Sequence, residues 1–85
     1  MGYMLGTQMS LDDIRKLKVG DVFVEFDSYS GKIDVKLTSQ IQENENEIVF
    51  EGENVATQEH IDYSLLTDSK LNHYNPKLYT IDQVF

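Results

Sequence analysis

The chain changes its period once. Leu11, Ile14 and Leu17 recur every three residues, close to the spacing of one helix face. Ser10 before them is a good N-cap, and Asp13 suits the positive end of a helix. Arg15, Lys16 and Lys18 suit its last turn, and Gly20 stops it. The expectation is a short helix over residues 11–17. Such a helix is too short to hold by itself, so Ile14 and Leu17 should cover one end of a sheet.

From Asp21 the period becomes two. Val22, Val24 and Phe26 alternate with Phe23, Glu25 and Asp27. Ile33, Val35, Leu37, Ser39 and Ile41 alternate with Lys32, Asp34, Lys36, Thr38 and Gln40. Both read as half-buried strands. A two-residue turn at Ser30-Gly31 would set Phe26 opposite Val35 and Val24 opposite Leu37 on the core face. The same register pairs Glu25 with Lys36 but sets Asp27 against Asp34. A turn at Glu43–Asn46 leads to a strand over 47–51, with Ile41 opposite Phe50. Residues 60–66 and 77–84 alternate as well and complete the set. Residues 1–8 match none of this and are read as a tag or disordered extension of a single domain spanning 9–85.

The fold class expected is mainly β with one short N-terminal helix. About five antiparallel strands would curl into a small, partly open barrel that resembles the SH3-like barrels in outline. Eighty-five residues leave room for one modest core, since a chain of this size buries roughly 60–65% of its unfolded surface. The composition, 40% hydrophobic and 26% charged, is that of a globular chain. There is no cysteine, which removes disulfides, thiolate metal sites and thiol nucleophiles. The expected location is cytoplasmic, and no apolar run approaches the ~20 residues of a membrane span.

Charge divides the chain. Fifteen acids against seven bases give a net charge of −8. No Lys or Arg lies between Lys36 and Lys70, where Glu43, Glu45, Glu47, Glu51, Glu53, Glu59, Asp62 and Asp68 carry the entire net charge. A field of that sign repels phosphates and attracts basic surfaces. Direct nucleic-acid binding needs a basic stripe, and the one basic cluster, Arg15, Lys16 and Lys18, is flanked by Asp12 and Asp13.

Catalytic and cofactor motifs are not found. No serine stands in a Gly-x-Ser-x-Gly elbow, and Gly20, Gly31 and Gly52 are isolated punctuation rather than a phosphate loop. His60 and Asp62 share one side of a strand, but three or four ligands must converge on a metal, so no metal and no catalytic residues are assigned. The chain is therefore expected to be a small acidic non-enzymatic protein, an inhibitor or adaptor that docks a basic protein surface. Glu43, Glu45, Glu47, Glu51 and Glu53 would supply the charge, and Tyr29, Tyr63 and Tyr74 the aromatic anchors. In size and charge it resembles the small acidic inhibitors carried by phages and mobile elements that act on nucleic-acid enzymes. The alternative is an oligomeric ligand-sequestering or structural protein, its subunits meeting through Phe23 and Val49. The oligomeric state itself is left open.

Overall fold

The computed structural model describes residues 3–27, 29 and 31–84. One antiparallel sheet curls into a partly open barrel. Its strands are β1 (Tyr3–Gln8), β2 (Val22–Asp27), β3 (Gly31–Leu37), β4 (Gln42–Glu43), β5 (Glu47–Asn54), β6 (His60–Leu66) and β7 (Lys77–Val84). The spatial order runs β1-β7-β2-β3-β5, with β4 on the same edge of β5 as β3 and β6 on the other. A helix α1 (Leu11–Arg15) lies between β1 and β2, and a 3-10 turn (Asn72–Tyr74) precedes β7.

Local chemistry accounts for the helix and its ends. Ser10 accepts from the Asp13 amide, and the Asp13 carboxylate accepts from the Ser10 amide, a reciprocal capping box. This backbone hydrogen bond, followed by that of the Ser10 hydroxyl, holds the Asp13 carboxyl below its ordinary pKa. Gly20 has φ +97°, a left-handed conformation that glycine adopts at little cost. Ile14 is the buried residue of the helix and joins the core.

The core is organised by three rings from three strands. Phe23 of β2 meets Phe50 of β5 edge-on at 6.0 Å and Tyr63 of β6 at 5.7 Å. Phe50 and Tyr63 stack on each other at 5.0 Å. Val35, Leu37, Ile48, Leu65 and Leu78 surround them. The Tyr63 hydroxyl donates to Glu25 Oε1 at 2.7 Å, satisfying the polar end of the buried ring.

Several expectations need correction. Phe26 does not face Val35 in the core. It pairs with Lys32 and is 40% exposed, whereas Phe23 pairs with Val35 and is 1% exposed. The β2–β3 register is displaced because three residues, not two, separate the paired Asp27 and Gly31. Gly31 has φ +77°, the left-handed position that ends such a connection, and the Asp27 carboxylate accepts from the Tyr29 amide. Ser30 of the expected turn lies outside the described residues. The observed register removes the Asp27–Asp34 clash and also the Glu25–Lys36 pair. Second, residues 3–8 form β1 along β7 rather than an extension apart from the sheet, and the Met9 amide continues the contact with the Leu78 carbonyl; Met1 and Gly2 lie outside the described residues. Third, Phe23 is a core residue, so it cannot serve as an outward oligomer contact.

The expected strand over 32–41 breaks after Leu37. Leu37 faces Gly52 and Gln42 faces Val49, so five steps on this side oppose three on β5. The Ser39 hydroxyl stands in for a ladder carbonyl at the break, accepting from the Glu51 amide at 2.8 Å. At the bend, a Cβ on Gly52 would lie 2.6 Å from Val35 Cγ1, so the close approach of β3 and β5 needs glycine there. Beyond the break Gln42 faces Val49 and Glu43 faces Ile48, the alignment that the expected turn sets.

Candidate functional site

The β5–β6 hairpin has two chemically opposite faces because its residues alternate. Ile48, Phe50 and Gly52 face the core with Leu65, Tyr63 and Ile61. On the outer face Glu47 pairs with Leu66, Val49 with Ser64, Glu51 with Asp62 and Glu53 with His60. The register thus brings three of the singled-out glutamates onto one surface and adds Asp62. Like charges directly opposite each other, as Glu51 and Asp62 are, normally repel. Here His60 lies between them. Its Nε2 is 2.8 Å from Asp62 Oδ1 and 3.3 Å from Glu51 Oε1.

Neighbouring groups tie the rest of this face. Glu47 accepts from the Ser64 hydroxyl and from the Asn44 side-chain amide at 3.3 Å. These two bonds, that from Ser64 first, hold its carboxyl below the ordinary value. Lys36 of β3 stands beside Glu53 in the register. A depression of about 410 Å3 opens next to the Glu51–Asp62 pair, lined by Ser39, Gln42, Val49 and Ser64 among others.

The other singled-out residues are placed elsewhere. Glu43 pairs with Ile48 on the inward side and is gripped by Arg15, whose Nε and Nη2 each donate to it at 2.9 Å. Asp12 accepts from Nη1 of the same guanidinium at 2.7 Å. The Arg15 hydrogen bonds hold the Glu43 carboxyl low, and donating to Glu43 first and to Asp12 second in turn pushes the guanidinium pKa up. The charge of Glu43 is therefore largely compensated. Glu45 sits in the turn between β4 and β5, exposed. Tyr63 is 5% exposed, so the expectation of an accessible anchor fails for it. Burial, with the bond to Glu25 second, pushes its phenol pKa up. Tyr29 and Tyr74 are 97% and 73% exposed and stay available. By register both lie toward the end of the sheet where Phe26 of β2 faces Lys77 of β7.

A larger hollow of about 560 Å3 lies between α1 and the segment leading into β7. Its Asp12 and Arg15 are already bonded to each other, so it offers less uncompensated charge than the outer face. Among the described residues no helix is long and apolar enough to cross a membrane. No protein-family model, curated protein or solved structure matches the chain.

Proposed function

We propose that the chain is a non-enzymatic binding protein, an inhibitor or adaptor of the type mobile elements carry, whose acidic outer face docks a basic surface on another protein. One observation supports this above the rest. The β5–β6 register gathers Glu47, Glu51, Glu53 and Asp62 on one face, within a stretch that holds no Lys or Arg. Such a field raises the association rate of an oppositely charged partner by tens-fold or more and sets its orientation. Tyr29 or Tyr74 would add apolar contact at an end of that face. Glu43, held by Arg15, contributes little to the field.

The test uses the chain as bait on extract of its native host, followed by association kinetics with the retained protein. Changing Glu47, Glu51 and Glu53 to Gln together with Asp62→Asn should slow association at least about tenfold. Salt should slow the parent likewise, because the screening length falls from ~10 Å at 0.1 M to ~3 Å at 1 M. Glu43→Gln should have a much smaller effect. A partner indifferent to salt and to the four changes would show that the acids only solvate this face.

A further inference from the structure

We propose that Glu51, His60 and Asp62 form a binding site for a borderline divalent transition-metal ion, of which Zn2+ is the type. The inference stands on these three side chains and not on the docking reading above.

The spacing fits such an ion. One ligand atom from each residue lies within 4.8 Å of the other two. Ligands held tetrahedrally at Zn2+ distances of roughly 2.0–2.2 Å lie about 3.3–3.6 Å from one another. His60 Nε2 and Glu51 Oε1 are 3.3 Å apart. His60 Nε2 and Asp62 Oδ1, at 2.8 Å, need to separate by about half an ångström or a little more. All three side chains are exposed and end on the same face, so this adjustment meets no packing.

The frame is held on rigid elements. Glu51 is on β5, which pairs with β3 and β4 on one edge and with β6 on the other. Asp62 is directly opposite it, and His60 is two residues from Asp62 on the same side of β6. A site on paired strands positions ligands better than one on loops. The same register places two carboxylates face to face, an arrangement that a divalent ion would relieve.

The donor set selects the metal. Hard cations such as Ca2+ and Mg2+ take oxygen ligands and gain nothing from an imidazole. One imidazole with two carboxylates suits Zn2+, Ni2+ or Co2+, and the absence of thiolate leaves soft ions without their preferred ligand. Three protein ligands leave a coordination position open to water or to a side chain of a partner.

The experiment is a calorimetric titration of chelator-stripped protein with Zn2+, with the His60 ring resonances followed by NMR. One ion per chain should bind saturably, and the His60 signals should shift before those of His73. His60→Ala, Glu51→Gln and Asp62→Asn should each weaken binding by about tenfold or more, since loss of even an outer partner of a metal ligand costs 10–100-fold. The paired change Glu43→Gln and Glu45→Gln should leave it unchanged. Far-UV circular dichroism checks that each variant is folded, which exposed positions favour. Unsaturable binding, binding by His60→Ala equal to the parent, or equal competition by Mg2+ or Ca2+ would each overturn the proposal and leave a diffuse acidic surface.

Discussion

The two faces of the β5–β6 hairpin share a backbone and differ in almost everything else. Ile48, Phe50, Tyr63 and Leu65 point inward and are buried; Glu47, Glu51, His60 and Asp62 point outward and meet water. The inner face specifies the fold through ring contacts with Phe23. The outer face contributes little to that specification, and its like charges oppose it slightly. One strand pair therefore carries stability on alternate residues and leaves the others free for binding.

The sharpest way to break this comparison is Phe50→Ala. It removes a ring that touches both Phe23 and Tyr63, and a denaturant titration should show a loss of ~3–5 kcal/mol. A cost as small as that of an outer-face change would mean that the ring trio does not hold the core.

Tyr63→Phe comes next and tests the polar end of the same face. It keeps the ring but removes the donor to Glu25, and hydrogen bonds to charged groups contribute ~1.5–3 kcal/mol. The variant also has a pH signature. The folded-state pKa of Tyr63 is raised, so in the parent this group favours folding fully below the ordinary tyrosine value of about 10. That contribution is lost as pH rises beyond it, while the unfolded chain ionises and the folded chain does not. Melting temperatures across this alkaline range should fall less steeply for Tyr63→Phe than for the parent.

Gly52→Ala is expected to cost ~1–3 kcal/mol by overpacking, because the added methyl collides with Val35 across the bend. Thermal denaturation would show it, and a neutral result would mean that β3 and β5 approach less closely at the bend. The smallest effect belongs to the outer face. Asp62→Asn should stay within ~0.5 kcal/mol of the parent in the same assay. A larger loss would give the outer face a structural share and blur the division.

The sequence shows some of this directly. Alternation marks β2, β3, β5, β6 and β7, and it aligns the β4–β5 hairpin, because Ile41 and Phe50 are apolar positions bracketing a short polar turn. It fails at β2, where Val22, Phe23 and Val24 are apolar in succession and a period of two fits either face. What decides between them is contact of Phe23 with Phe50 and Tyr63, which are far away in sequence. The site shows the same limit. His60 and Asp62 sit visibly on one side of a strand, but Glu51 joins them only through the β5–β6 register, which the apolar pattern leaves open. The grip of Arg15 on Glu43 spans 28 positions, and no periodicity predicts it. Residues 3–8 lack a strand's alternation, with Gly6 and Thr7 where apolar residues would stand. Their place beside β7 shows in the backbone register, which no apolar pattern announces.

The Asn75 side chain holds both backbone groups of Leu66, accepting from its amide at 2.7 Å and donating to its carbonyl at 2.9 Å. One amide side chain thus imitates the next strand where β6 ends. A sheet margin left bare recruits other chains and seeds fibrils. Here the margin is plugged at Leu66, and the stretch before it carries Asp62, whose charge opposes stacking of identical copies. The expected consequence is colloidal: light scattering of concentrated protein should show no growth into ribbons, and an apolar residue in place of Asn75 should promote gelling.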